Sequence, residues 1–290
     1  MAAQRRCTPS GNRTSGALRG GRGRALATAV LGPVLALSCA SEPLGPETGD
    51  ALTPSRYRAP RTDLAPRIDG VLDDAAWALA PWTALAVDIE GASKPAPAHA
   101  TRVRMLWDDE HLYVAAQLDE PHVWATLTEH DSIVYRDNDF EVFLDPEGDG
   151  LWYVEVEINA LGTVFDLALD KPYSRGGRAQ IHWSPSALRS AVRVQGTLND
   201  PRDLDQGWTL ELAIPHAALA EHAGVPLPPR AGDTWRLNFS RVQWQHDVVD
   251  GAYVKRAGVR EDNWVWTPQF AINMHLPELW GYLDFVDGDS

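Results

Sequence analysis

The stretch Val103-Arg104-Met105-Leu106-Trp107-Asp108-Asp109-Glu110-His111-Leu112-Tyr113-Val114 decides the fold of this chain. Apolar and polar side chains alternate over residues 102–107, and alternation resumes over 112–118, which is the period of a β-strand with one buried face. The acidic segment 108–111 between the two runs suits a tight turn. The sequence therefore predicts an antiparallel hairpin here.

The same pattern recurs along the chain and predicts an all-β protein. Further strands are predicted at residues 140–144, 152–159, 163–169, 191–198, 208–214, 235–242 and 281–285. Helix signals are short: an acidic cap opens 73–79, and a proline opens 215–219. Short strands with few helices predict a single antiparallel β-sandwich with a few short helices.

The N-terminal segment has a different character from the rest. Six arginines and no acid precede an apolar run over residues 25–37, and small residues follow, so residues 1–39 are predicted to be an export signal. The run is too short to span a bilayer, which needs about 20 apolar residues. Cys39 after small residues is similar to a bacterial lipoprotein box and predicts lipidation, with plain secretion as the alternative. Residues 40–63, rich in proline and polar residues, are predicted to be a flexible tether.

Charge and cysteine content limit the possible partners. The net charge of −14 becomes −20 when the six signal arginines are removed. Nucleic acid is excluded on this ground, because its phosphates need basic contacts.

Cys7 would leave with the signal, so no disulfide is expected in the exported part. We expect a monomer that is an outer-membrane lipoprotein, or periplasmic or extracellular, and that meets the membrane only through a lipid anchor.

Twelve tryptophans lie between Trp77 and Trp280. Large aromatic side chains dominate core burial, so most of them are predicted to fill the sandwich. A flat indole also offers a surface to the apolar face of a sugar ring. The functional question is which rings the core leaves exposed.

Three segments together resemble a known family. They are Ile68-Asp69-Gly70-Val71-Leu72-Asp73-Asp74-Ala75-Ala76-Trp77, the hairpin over 103–114, and Asp137-Asn138-Asp139-Phe140-Glu141-Val142-Phe143-Leu144-Asp145. In this order they resemble the family 9 carbohydrate-binding modules and their DOMON-like relatives, over residues 64–286. The resemblance implies non-catalytic binding of a mono- or oligosaccharide, or of a polysaccharide end, that supports glycan capture or catabolism.

The resemblance also implies a site in which two aromatic rings clamp a sugar. The residues that it points to are Tyr135, Glu141, Asn263, Trp264, Trp266 and Gln269. Tyr135 and Trp264 would be the clamp, with Trp266 two residues further on the same strand face. That spacing fits paired packing equally well. Asn263, Gln269 and Asn273 would bond hydroxyls or else cap loops, and Glu155 or Glu157 stands where the family places an arginine.

A metal site is predicted on the turn after the third segment. Asp145, Glu147 and Asp149 alternate before Gly150, which suits Ca²⁺, although a solvated acidic β-turn has the same composition. No organic cofactor is expected.

Two alternatives to sugar binding remain open. A glycoside hydrolase would need two of Glu141, Glu155, Glu157 and Asp166 across a bond. Against this, Glu155 and Glu157 alternate with apolar residues, which is typical of a strand with one solvated face. A haem-binding electron-transfer module would draw on Met105, His182, Met274 or His275, but the sequence lacks a Cys-x-x-Cys-His motif.

Overall fold

The computed structural model describes residues 53–288. The predicted export signal, Cys39 and most of the predicted tether lie outside the described residues. Within the described range, no helix is long and apolar enough to cross a membrane. Helical structure in that range is confined to short 3₁₀ turns, at Ala75–Leu79, Val134–Arg136, Tyr173–Arg175, His216–Leu219 and Pro277–Leu279.

Strands make up the rest of the regular structure. They are β1 (Arg56–Pro60), β2 (Val87–Asp88), β3 (Thr101–Trp107), β4 (His111–Asp119), β5 (Asp139–Asp145), β6 (Tyr153–Asn159), β7 (Val164–Leu169), β8 (Ala179–Gln180), β9 (Arg189–Gln195), β10 (Gly207–Pro215), β11 (Thr234–Gln243), β12 (His246–Val249), β13 (Ala252–Lys255), β14 (Asp262–Val265) and β15 (Gly281–Val286). The predicted hairpin is confirmed as β3 and β4. The Asp108 carboxylate holds its turn, accepting the N–H groups of Glu110 at 2.7 Å and His111 at 2.8 Å.

Two sheets form the sandwich. The larger sheet runs in the order β1-β15-β11-β5-β6-β7-β8, with β14 paired to β11 and β2 paired to β14. The smaller sheet has the order β3-β4-β10-β9, and β12 and β13 form a separate hairpin. All of the pairs are antiparallel except β1 with β15, which is parallel. The prediction of an all-β sandwich is confirmed.

Alternation along β5 and β6 divides the larger sheet into two faces. The inner face packs against the smaller sheet, and its members include Phe140, Val142, Leu144, Val154, Val156 and Ile158. The opposite face carries Asp139, Glu141 and Phe143 on β5 beside Glu155 and Glu157 on β6. This outer face is where the candidate site lies.

Tryptophan packing follows the prediction for the core. Eight of the twelve are buried: Trp77, Trp107, Trp124, Trp208, Trp235, Trp264, Trp266 and Trp280. Burying a large aromatic side chain stabilises a fold by roughly 1.5–3 kcal/mol, so these rings provide much of the cohesion of a sandwich that gains no disulfide in its described part. Among the described tryptophans, Trp152 is the exposed one, at 40%.

A buried carboxylate fixes the segment that opens the family signature. Glu211 on β10 accepts the N–H groups of Asp69 at 3.0 Å and Gly70 at 2.8 Å, and the Trp77 indole N–H at 2.7 Å. Gly70 has φ of +80°, and a Cβ there would meet the Arg193 backbone nitrogen at 2.8 Å. This segment stabilises the fold, because Ala76 and Trp77 pack on the outer face of the smaller sheet.

The boundary of the sandwich lies earlier than the sequence predicts. Strand β1 falls inside the predicted tether of 40–63, with Tyr57 and Ala59 buried in the core. The Tyr57 hydroxyl also donates to the Pro81 carbonyl at 2.7 Å. The prediction was wrong here because the pairing of β1 with β15 joins segments that are distant in sequence, and local composition carries no signal of it.

Candidate functional site

A cavity of about 420 Å³ opens on the outer face of the larger sheet. Its more buried lining includes Glu141, Phe143, Glu155, Glu157, Phe165 and Leu167. Its more exposed lining includes Ile133, Tyr135, Tyr173, Ile181, Asn263 and His275. Strands β5 to β7 supply the first group, and turns and loops supply most of the second. A rigid sheet thus supports a rim built from loops, which is the usual arrangement of binding sites.

Strand register places the acids side by side. Glu141 on β5 lies opposite Glu157 on β6, and Phe143 lies opposite Glu155. Asp139 is two residues before Glu141 and so shares its face. We call Asp139, Glu141, Glu155 and Glu157 the acid cluster; none is more than 5% exposed.

Burial is the largest cause of the titration behaviour of the acid cluster. It raises the pKa of Glu141 to about 7, and the pKa of Glu155 to about 8 with a smaller contribution from Glu141. The pKa values of Asp139 and Glu157 are also raised well above the ordinary range, by burial first and by neighbouring carboxylates second. Removing carboxylates from water disfavours their charged form, and like charges add to the cost.

The interpretation of β6 as a strand with a solvated face was therefore wrong. Period-2 alternation identifies a polar face, but it does not show what covers that face. A second apolar cluster lies on the outer face, with Val134, Phe165 and Met274 among its members. These residues come from turns and strands that are separate in sequence, and they shield the Glu155 and Glu157 side chains from water.

Hydrogen bonding leaves part of the acid cluster without partners. The Tyr135 backbone N–H donates to Glu157 Oε2 at 3.0 Å, and the Val242 N–H donates to Asp139 Oδ1 at 3.3 Å. Within the described part of the chain, Asp139 Oδ2 and Glu155 Oε2 are buried and have no hydrogen-bond partner. Buried polar atoms are normally satisfied, so these two oxygens need an explanation.

Two tyrosines stand at the mouth of the cavity. Tyr135 is 43% exposed and Tyr173 is 48% exposed. The Tyr135 backbone is held by the Trp244 indole, which donates to its carbonyl at 2.9 Å. Tyr173 follows Pro172 and precedes Gly176 and Gly177 in a turn. The pair gives the mouth two aromatic surfaces with hydroxyl groups.

A family model described as "Carbohydrate family 9 binding domain-like" matches residues 68–224, which is more than half of the chain. The chain belongs to this family. The match includes Tyr135, the acid cluster and Tyr173, and it ends before Asn263. No curated protein matches the chain.

Solved structures agree on the fold of the family 9 domain. One is a family 9 carbohydrate-binding module from Caldicellulosiruptor kristjanssonii in complex with cellotriose, with 15% identity, a TM-score of 0.53, and coverage of 80% of this chain and 94% of that one. A structure of a module of the same family and organism in complex with glucose has 15% identity, a TM-score of 0.54, and coverage of 80% and 96%. A candidate carbohydrate-binding protein from Bacteroides uniformis has 17% identity, a TM-score of 0.59, and coverage of 80% and 99%. At these identities the likeness shows the fold.

Three of the sequence-predicted site residues of the family 9 domain come together. Tyr135, Glu141 and Asn263 all line the cavity, although they lie on a turn, on β5 and on β14. Their contact with a sugar stays a prediction. Sequence reasoning passed over Tyr173, for which the signal was an aromatic residue in a turn rich in proline and glycine.

The structure corrects the placement of the other three residues. Trp264 on β14 is 4% exposed, and Trp266, just after that strand, is 8% exposed. Both lie toward the inner face of the sheet, where Trp266 packs against Phe239. Asn263 takes the outer face instead, because neighbours in a strand point to opposite sides. Gln269 is also buried, and its amide donates to the Thr267 carbonyl at 3.0 Å. None of the three lines the cavity, so no clamp ring comes from Trp264.

The predicted calcium turn has the geometry of a capped β-turn. Asp145 accepts the N–H groups of Gly148 and Gly150, both at 2.8 Å, through its two carboxylate oxygens. Asp149 accepts the Leu151 N–H at 2.8 Å. Calcium binding by Asp145, Glu147 and Asp149 stays a prediction.

The four candidate haem ligands of the family 9 domain lie in three different places. Met105 lies in the core between the sheets, and His182 is exposed. Met274 and His275 line the cavity, and His275 Nδ1 lies 3.0 Å from the Tyr153 hydroxyl. Burial lowers the pKa of His275 to about 4, so this imidazole is neutral at pH 7.

Proposed function

We propose that the family 9 domain binds carbohydrate in this cavity, by stacking and hydroxyl hydrogen bonds, without chemical change to the ligand. The observation that carries the proposal is the cavity itself, which is lined by an exposed Tyr135, by buried carboxyl groups and by the amide of Asn263. Family membership and the relatives in complex with cellotriose and glucose support it. The cavity volume is within the common range for small-molecule sites, about 300–1,000 Å³.

The chemistry of the lining suits a sugar end. A tyrosine ring gains contact from the apolar face of a pyranose, as it does from other apolar burial. Carboxyl groups and the Asn263 amide offer acceptors and donors to hydroxyls. We propose a mono- or oligosaccharide, or a polysaccharide end, as the ligand, and glycan capture or catabolism as the process that it supports.

Truncating Tyr135 is expected to weaken sugar binding at least tenfold, because the rim then loses its ring while the cavity floor is unchanged. Calorimetric titration with cellotriose and glucose, after a glycan array, measures the effect for Tyr135→Ala. The matched control is Phe270→Ala, which removes a ring of the same 43% exposure that does not line the cavity. The proposal fails if wild type binds no glycan, or if both variants lose affinity equally.

We further propose that the domain is a monomer exported to the cell envelope and anchored through Cys39. The basic and apolar N-terminal pattern supports export, and the small residues before Cys39 support lipidation.

Replacing Cys39 is expected to move the full-length protein from the membrane fraction to the soluble fraction, because lipid attachment supplies the membrane affinity. Fractionation of cells that express Cys39→Ser measures this, with Cys7→Ser as the control. Equal partitioning of wild type and Cys39→Ser would leave plain secretion as the better account.

A further inference from the structure

Three members of the acid cluster have the geometry of a cation site. Asp139, Glu141 and Glu157 each offer one carboxylate oxygen, and these oxygens all lie within 4.8 Å of one another. A Ca²⁺ ion binds oxygen at about 2.3–2.6 Å, so two of its ligands can be separated by up to about twice that length. Three oxygens this close fit around a single ion.

The backbone holds these carboxylates in place without an ion. Asp139 and Glu141 are two residues apart on β5, and Glu157 lies directly opposite Glu141 on β6. All three therefore project from the centre of a sheet, where the strands fix the Cα positions. A site on strands is more precise than one on a loop.

A fourth carboxyl group, Glu155, is hydrogen-bonded to Glu157 and still has one buried oxygen without a partner in the described chain. Glu155 lines the same cavity and is 95% buried, and its Oε2 has no hydrogen-bond partner among the described residues. Asp139 Oδ2 is likewise buried and unpartnered. Buried charges are normally paired or coordinate metals, and neither oxygen has a hydrogen-bond partner among the described residues.

The carboxyl groups around the cavity have no charged basic partner among the described residues of its lining. No lysine or arginine of the described chain lines it, and the lining imidazole of His275 is neutral. Elsewhere the same protein pairs its buried acid: Glu120 accepts from Arg241 at 2.8 Å, with both side chains at most 2% exposed. By contrast, the acid cluster has no charged basic side chain among the described residues that line its cavity.

We infer that Asp139, Glu141 and Glu157 bind a divalent cation of the hard, oxygen-seeking class, Ca²⁺, at the base of the cavity. Carboxylate-only ligation selects calcium or magnesium over softer metals. Calcium fits better, because it accepts six to eight oxygens in flexible geometry, whereas magnesium demands a near-ideal octahedron. Glu141 and Glu157 line the cavity, so water or ligand oxygens complete the coordination from that side. The site is separate from the turn at Asp145 and stands whether or not the cavity holds sugar.

The test is calcium titration of the full-length protein after treatment with EDTA and desalting. Calorimetry with CaCl₂ measures affinity and stoichiometry, and terbium luminescence, sensitised by nearby aromatic rings, reports a lanthanide in the same site. We expect Glu157→Gln to remove one binding event or to weaken it at least about tenfold, since ligand charge sets calcium affinity. The exposed-glutamate control, Glu221→Gln, should bind as wild type does.

A third variant separates the two acidic regions. Asp149→Asn alters the β-turn and should leave the cluster event in place. The inference is overturned if wild type binds no Ca²⁺ at millimolar concentration, or if Glu157→Gln binds unchanged. It is equally overturned if Asp149→Asn alone removes all binding. As a check on folding, CaCl₂ should raise the thermal midpoint of wild type by more than that of a folded Glu157→Gln.

Discussion

Arg241→Leu is expected to destabilise the domain by about 3–5 kcal/mol, because it leaves Glu120 buried without a counter-charge. Arg241 is 1% exposed and Glu120 is 2% exposed, with Nη2 and Oε2 2.8 Å apart. The same guanidinium donates to Gln243 Oε1 at 2.7 Å and to Thr101 Oγ1 at 3.0 Å. Urea denaturation measures the loss in unfolding free energy.

Two comparisons make that measurement specific. Arg256→Leu breaks an ion pair with Asp247 of the same 2.8 Å length, but with about half of each side chain exposed, and should cost less than about 1 kcal/mol. The double variant Arg241→Leu with Glu120→Leu should recover much of the loss, since no charge is then buried alone. A loss below about 1 kcal/mol in Arg241→Leu would contradict the account.

Trp264 packs against the guanidinium group of Arg241. The guanidinium carbon lies 5.1 Å from the centre of the indole ring, which is cation–π geometry, and His99 meets the same ring edge-on at 5.9 Å. The ring that the family resemblance assigns to the ligand is here part of the support for a buried ion pair.

Raising the pH from 6.5 to 8.5 is expected to lower the unfolding free energy by about 2 kcal/mol in the presence of EDTA. Folded Glu141 and Glu155 titrate at about 7 and about 8, whereas an unfolded glutamate titrates near 4.5. The folded state thus binds more protons in this window, and stability falls as protons leave. Each unit of pKa difference corresponds to about 1.4 kcal/mol.

The pH range of 6.5 to 8.5 is chosen because two buried histidines titrate below it. Burial lowers the folded pKa values of His216 and His275 to about 4, so their contribution rises with pH up to about 6.5 and opposes the acids. Below 6.5 the two sets of groups offset each other, whereas above it the unfolded imidazoles have lost most of their protons and the acids dominate the slope. The decline in stability should therefore become visible above pH 6.5.

Denaturation curves at several pH values check this prediction. Glu155→Gln should flatten the decline above pH 6.5, because it removes the carboxyl with the higher of the two values. Glu221→Gln, an exposed change, should keep the wild-type profile. A wild-type curve that is flat between 6.5 and 8.5 would show that the acid cluster is not held protonated.

Much of the fold could be predicted from local patterns, and the two errors about which side chains face the core have one physical origin. Alternation correctly separates Glu155 and Glu157 from Val156, and Asn263 from Trp264. Alternation along a strand shows which residues share a face of the sheet. Which of the two faces packs against the core depends on the order of the strands, and local sequence does not encode that order. Local sequence therefore predicts the wrong side for the two tryptophans and predicts solvent exposure for the two glutamates.

The candidate site was predictable where its residues lie within motifs. Glu141 lies in the strand signature and Tyr135 shortly before it, so both could be placed. Tyr173 and His275 reach the cavity through loops whose course is set by tertiary contacts. The acid cluster exists because register sets Glu157 against Glu141, and pairing register cannot be read from either strand alone.

The parallel pairing of β1 with β15 has a consequence for how the chain reaches its final state. Synthesis delivers Arg56 long before Tyr282, its partner in the ladder. Contacts of such wide sequence separation form late, because a long loop must close before they form. Until β15 is synthesised, the first strand lacks its partner in the ladder, so this edge of the larger sheet is completed late in folding.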